Sequence, residues 1–311
     1  MGLRRQIAPF LPKEPVDVAI DFHDRPYYGE RQDPKRRQYV RTKEERGTHR
    51  AHRFASLSVL LPGFRLIASL RFHPSNGGTL PAVQKALHDF ERAGGRLKAV
   101  FLDRGFYTYA VLSWLNAQGI PAAVPVRLGS RQRKKWERGH GSYSTTHTMK
   151  GPNPGDPPLE LTIHVVVRYQ KGKKWDRRGC QYWVYAVLGE IPLEEVAKRY
   201  RARFGIESSY RLLGQALART SSRSPSLRLL QAAVGMMLQN EWVVLKIHFA
   251  GESRAGRGGW RIREELLRFG DLLAMLVRAV GYRLGNLTHV ENRSKFPEGL
   301  RRQGLTGVLD V

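Results

Sequence analysis

Three acids stand where a chain could put carboxylates to chemical use: Asp21, Asp103 and Glu207. The apolar run from Val16 to Phe22, interrupted by Asp17, reads as a short buried strand ending at Asp21. Lys98-Ala-Val-Phe-Leu-Asp103 reads as a second buried strand that also ends in an acid. Strand-end carboxylates project from the rim of a sheet, where open α/β sheets place their sites. Glu207 lies mid-helix, and a helix crossing that rim brings a third carboxylate. Three converging carboxylates repel, and a divalent metal pair relieves them. Magnesium takes oxygen ligands, one or two of them carboxylates beside phosphate oxygens. Two such ions roughly 3.5–4 Å apart activate a water or hydroxyl and stabilise the leaving oxygen in phosphodiester chemistry. The plainer alternative is that each aspartate caps the turn after its strand. Asp24 competes for the first position; Asp21 is preferred because Val18-Ala19-Ile20 delivers it at a strand end, whereas Asp24 lies among turn residues.

Tyr200, Arg203, Glu207 and Arg211 are spaced i, i+3, i+7 and i+11. At about 100° per residue they share one face of a helix. A salt-bridged solvent stripe has this form too, but tyrosine suits it poorly, and arginine is the fork that fits phosphate. In Arg131-Gln-Arg-Lys-Lys-Trp136, bases interleave with an aromatic, so Arg131, Lys134 and Lys135 suit phosphate binding or a solvated loop. His140, His147 and His164 match no zinc spacing and read as exposed or DNA-facing. Trp175 and Trp183 could stack on an unpaired base, with packing the better reading. No GxGxxG or phosphate-binding loop is present.

The elements around these residues run β, ββ, α, β, α, β over residues 16–126. The hairpin Arg53–Leu61 and Phe64–Phe72 turns at Pro62-Gly63, and helices cover 79–93 and 107–118. This order calls for an α/β fold, a mixed sheet with helices on its faces. Residues 1–15 read as an N-terminal tail, 23–47 as a long polar loop, and 16–135 as the first part of a core. Residues 136–190 read as a β-rich insertion. A helix opens at Pro192 and runs to about Arg219, and a long apolar helix covers 226–249, so 191–250 is the second part of the core. Residues 251–311 hold a Gly/Arg-rich linker, a last helix over 262–284 and a basic tail.

The 53 Lys and Arg against 27 Asp and Glu leave a net charge of +26. Such an excess favours a polyanion, nucleic acid first. One cysteine, Cys180, excludes a disulfide framework and fits a reducing cytoplasm. The most apolar stretch, 227–250, is interrupted by polar residues, so no membrane span is expected, and Met1 to Pro12 lacks the apolar centre of a signal peptide.

Three blocks carry a resemblance: Val18-Ala-Ile-Asp21-Phe-His-Asp-Arg-Pro-Tyr-Tyr-Gly29, Val100-Phe-Leu-Asp103-Arg-Gly-Phe-Tyr107, and Tyr200-x2-Arg203-x3-Glu207. Over about residues 16–250 the chain resembles a DDE transposase of the insertion-sequence-four-like group, with a retroviral-integrase-like (RNase H-like) core. The resemblance implies Asp21, Asp103 and Glu207 as catalytic metal ligands for two Mg2+ ions, or Mn2+ in their place. It implies contacts of Tyr200 and Arg203 with phosphate near the scissile bond, and DNA contacts by Arg104 and Arg211. It implies cleavage at element ends, strand transfer into target DNA, a homodimer on DNA, and a cytoplasmic, nucleoid-associated protein. Gly214 stands where the group's signature has lysine, with Arg211 or Gln215 as substitutes, and the N-terminal DNA-binding domain usual in the group is short or missing. Two other readings remain: a catalytically inactive or domesticated DNA-binding remnant, and a nuclease on the same fold that cuts without joining.

Overall fold

The computed structural model describes residues 2–30, 38–45, 47–170, 179–217, 220, 222–253, 260–262 and 268–283, with 45, 207, 208, 248–253 and 260–262 described by backbone alone. The first residues form a short helix, α1 (Gly2–Ile7), and a 3-10 turn at Ala8–Phe10. The segment read as a tail is thus anchored: Leu3 and Ile7 are buried, and the Gln6 amide donates to the Met237 carbonyl and the Glu241 carboxylate. Two apolar residues in so short a helix gave no periodic signal.

The strands β1 (Val16–Pro26), β2 (Val40–Glu45), β3 (Thr48–Leu61) and β4 (Phe64–His73) follow. The β3–β4 hairpin turns where Pro62-Gly63 was expected, with Gly63 at φ 88°, a conformation that favours glycine. Helix α2 (Thr79–Glu91) leads to β5 (Leu97–Leu102), and α3 (Tyr109–Ala117) to β6 (Ala122–Pro125). Then come α4 (Ser130–Trp136), β7 (Tyr143–Met149), β8 (Leu159–Tyr169) and β9 (Cys180–Leu188). The chain continues through α5 (Leu193–Arg203), α6 (Gly205–Ala216) and α7 (Pro225–Ala250). A ribbon of β10 (Gly251–Ser253) and β11 (Trp260–Ile262) precedes α8 (Phe269–Arg283).

Among the described residues nine strands make one sheet, in the order β2-β3-β1-β5-β6-β9-β8-β7, with β4 beside β3. β1 is antiparallel to β3 and parallel to β5, and β5 is parallel to β6. Strands β7, β8 and β9, from the segment read as an insertion, continue this same sheet antiparallel from β6. This is the mixed sheet flanked by helices that the element order called for.

The sheet is covered on both faces, which explains the unbroken apolar run of β5: Ala99, Val100, Phe101 and Leu102 are all fully buried. Val18, Ile20, Val100 and Leu102 join the larger core with Val83, Phe90, Val111 and Trp242 from α2, α3 and α7. Ala19, Ala99 and Phe101 face the other way, toward Val196, Ala197 and Tyr200 of α5. Asn240 of α7 binds both the N–H and the carbonyl of Ile67 on β4, so a buried polar residue in an apolar helix is fully used.

Three expectations about elements change. The loop read at 23–47 contains the last residues of β1 and all of β2, because β3 is long enough to pair with both. The helix read from Pro192 to Arg219 is two helices, broken at Phe204. There the Arg65 guanidinium takes the Ala202 carbonyl (2.9 Å) and lies so close to Gly205 that a Cβ would overlap it. The last helix starts at Phe269 rather than 262. Trp175 and the basic tail beyond 283 lie outside the described residues.

Candidate active site

The parallel ladder between β1 and β5 ends with Ile20 opposite Leu102, so Asp21 and Asp103 are the next residue on each strand. This register, set by the buried apolar residues before each acid, brings the two carboxylates together. Asp21 is not the end of its strand, because pairing of β1 with β3 continues to Pro26 opposite Ala51. It lies instead where β5 stops and the rim opens. Asp24 points away from this pair, since both of its oxygens are held by Arg53 at 2.7 and 2.6 Å.

Arg203, the last residue of α5, lies between the two carboxylates. Its Nη2 is 3.0 Å from Asp21 Oδ2 and 3.3 Å from Asp103 Oδ1. The Arg203 side chain is 6% exposed and that of Asp21 13%, while Asp103 is 47% open to solvent. Burial pushes the Asp21 carboxyl up to about 6, against the pull of Arg203 and with help from the like charge of Asp103. The remaining oxygen of Asp21 accepts from the Phe22 N–H at 2.9 Å. Tyr200 is buried one turn earlier, tilted against Tyr185 and edge-on to Phe101 and Phe204, and burial raises its hydroxyl pKa.

These groups line a cleft of about 660 Å³ that also takes in Arg104 and Trp183. Of the expected DNA contacts, Arg104 is exposed on this cleft. Arg131, Lys134 and Lys135 are exposed on α4, a helix rather than a loop, pinned by the fully buried Trp136. Arg211 is exposed on α6. Arg203, expected to hold phosphate, holds carboxylates. Glu207 lies in the first turn of α6, four residues beyond Arg203, and its side chain is outside the described ones.

His164 differs from the expectation of an exposed histidine. It is buried, with Ser144 Oγ at one ring nitrogen and the Ile191 carbonyl at the other. His140 is exposed beside the Tyr169 hydroxyl, and His147 meets the Trp136 ring edge-on.

Sequence reasoning missed a second Asp–Arg pair on the same two elements. Arg199 grips Asp17 through Nε and Nη2, at 2.9 and 2.6 Å. The four-residue spacing of Asp17 and Asp21, matched by that of Arg199 and Arg203, was the available signal. It also missed Tyr185 of β9, whose buried hydroxyl has no hydrogen-bond partner beside the cleft. Among the described residues no group of three His, Cys, Asp or Glu side chains could hold a metal ion. No described helix is long and apolar enough to cross a membrane.

Residues 12–238 match the family of transposase DDE domains, and the chain belongs to that family. None of the curated proteins matches it. Among solved structures its fold is similar to that of the piggyBac transposase synaptic complex with hairpin DNA, with a TM-score of 0.54 and 11% identity. The similarity covers 89% of this chain and 56% of that one, so the chain spans little more than half the length of that protein.

Proposed function

We propose that the chain is a metal-dependent DNA transposase of an insertion sequence, in the insertion-sequence-four-like group and with an RNase H-like core. It cleaves the element's ends and transfers them to target DNA. The observation that carries this reading is the meeting of Asp21 and Asp103 at the rim of two parallel strands, in a cleft and in a chain of the DDE family. Asp21, Asp103 and Glu207 are the proposed metal ligands. The donor set fits Mg2+ or Mn2+: two hard carboxylates, one open to the cleft, already accommodate a positive charge between them, that of Arg203. Bound there, the ions would lower the pKa of the attacking water or 3′-hydroxyl and stabilise the leaving oxygen.

The chain's own residues then have distinct tasks. Arg203 offsets one of the two negative charges of the aspartate pair, and with a metal bound there its guanidinium would suit a DNA phosphate. Tyr200 packs behind Arg203 and fixes its approach. Arg104, Arg211 and the exposed bases of α4 hold the DNA backbone beside the cleft. The protein acts as a homodimer on DNA and is associated with the nucleoid in the cytoplasm.

The test is incubation with a duplex carrying the element's terminal repeat, with Mg2+ or Mn2+. Nicking at the repeat followed by joining to a second duplex is expected. Nicking without joining would leave a nuclease. Binding without nicking would favour the inactive remnant, the reading that Gly214, in place of the signature's lysine, supports.

A further inference from the structure

Beyond the cleft, β1 carries a cation, Arg25, with no carboxylate partner among the described residues. Arg25 lies four residues past Asp21, on the same face of the strand and about 13 Å along it. Its partner across the antiparallel ladder is His52. Arg228, near the start of α7, reaches the same place, with Nη1 donating to the carbonyl of Pro26, the residue after Arg25, at 2.6 Å. Among the described residues no carboxylate pairs with Arg25 or Arg228; the nearby Asp24 is spent on Arg53. Arg25 Nη1 is buried without a hydrogen-bond partner, and so are both ring nitrogens of the fully buried His52. Each arginine pKa is lowered by burial, and that of Arg25 also by the charge of Arg228. Both arginines, after burial itself, help press the His52 ring down to about 4, so it stays neutral.

Two guanidiniums near enough to feel each other's charge, with no carboxylate on either among the described residues, cost folding free energy, and chains keep such costs where function needs them. Arg228 is 6% exposed and forms the floor; Arg25 is partly buried, with Nη1 closed off and its accessible surface on its other atoms. We propose that Arg25, backed by Arg228, is a binding position for a DNA phosphodiester, on the strand that also enters the cleft at Asp21. The proposal rests on the reading of this chain as a DNA-binding transposase. Arg25 supplies the contact, and the buried charge of Arg228 raises the local potential without touching DNA.

The experiment measures affinity for a fluorescein-labelled duplex across a salt series, for wild type, Arg25→Gln and Arg25→Lys. Each phosphate contact contributes about one to the slope of log affinity against log salt. Arg25→Gln should reduce that slope by about one and weaken binding, and Arg25→Lys should keep it. The thermal midpoint of Arg25→Gln without DNA should stay or rise, since a repulsion with Arg228 is removed. An unchanged slope, or a midpoint that falls as for a structural arginine, overturns the proposal. Pyrophosphate is the second probe. If it raises the midpoint of wild type but not of Arg25→Gln while the DNA slope is unchanged, the site takes small anions and the DNA assignment fails. Wild type that binds no DNA at any salt would sink the transposase reading itself, whereas wild type that binds steeply with an indifferent Arg25 sinks this site alone.

Discussion

β1 and α5 meet through two Asp–Arg pairs, and the pairs differ. Asp17 and Arg199 form a closed, two-pronged contact at 2.9 and 2.6 Å, and Arg199 also lies over the Phe101 ring. Four residues on, Asp21 has one nitrogen of Arg203 at 3.0 Å and shares it with Asp103 at 3.3 Å, while Arg203 Nε has no hydrogen-bond partner. The first pair satisfies its charges and docks the helix. The second leaves two carboxylates to one cation at the mouth of a cleft. The same residue types at the same spacing thus serve a joint in one case and an incomplete charge balance in the other. Such incompleteness is expected where a ligand supplies the remainder.

The largest effect that tests this contrast is on chemistry. Asp21→Asn or Asp103→Asn should reduce Mg2+-dependent nicking by at least ~10³-fold, because metal stabilisation of the transition state is worth several kcal/mol. DNA affinity should hold or rise, since a like charge facing phosphate is removed. Asp17→Asn should leave the nicking rate per folded molecule nearly unchanged. Equal losses at Asp17 and Asp21 in single-turnover assays would erase the distinction between the pairs.

Stability should move in the opposite sense. Asp21 titrates near 6 in the fold, above its ordinary 3.8, so the folded state binds this proton more tightly than the unfolded chain does. The ionised carboxylate therefore costs stability above about pH 6, and the cost fades as pH falls from 6 toward 4. With metal chelated, Asp21→Asn should be more stable than wild type at pH 7.5, by up to roughly 3 kcal/mol, and the gap should close near pH 4. Denaturant midpoints at the two pH values check this. A variant less stable than wild type at pH 7.5 would make Asp21 a second joint.

For the closed pair the sign reverses. Arg199→Ala leaves Asp17 without its partner at a site whose side chains are 13% and 18% exposed. A loss of about 2 kcal/mol is expected, below the 3–5 of a fully buried pair because solvent screens part of it. Urea midpoints with and without the variant measure it, and a loss under a few tenths would show that the docking contact is apolar instead.

Much of this was legible in the chain. The apolar runs before Asp21 and Asp103 gave both strands, while the register that sets the two acids side by side is a pairing the structure supplies. The Pro62-Gly63 turn gave the hairpin. What the sequence hid depends on long-range partners. The break at Phe204 coincides with Arg65, well over a hundred residues earlier, taking a helix carbonyl. The extension of β1 past Asp21 is decided by the length of β3, and the anchoring of α1 by α7. Tyr200 and Arg203 do share a buried face, but Arg211 lies beyond the break on an exposed one, so one helical wheel could not describe all four residues.

The smallest expected effect concerns Gly214, outside both pairs. It is exposed on α6, and a Cβ built there meets nothing within 4 Å. Lysine therefore fits without repacking. It should add about 0.5 kcal/mol of stability, since glycine inside a helix costs roughly that much and a cation near the helix C-terminus is favoured. Its ammonium falls on the same arc as Arg211, three residues earlier, so it should add one phosphate contact and steepen the salt dependence of DNA binding by up to about one. If nicking rises with it, the cleft of this chain is short of one cation and the carboxylate pair is intact. If Gly214→Lys leaves nicking unchanged and Arg211→Ala abolishes it, Arg211 already serves as that cation. Wild type and Gly214→Lys both failing to nick would put the deficit at the pair itself, with Arg203 remaining between Asp21 and Asp103 as a second permanent joint.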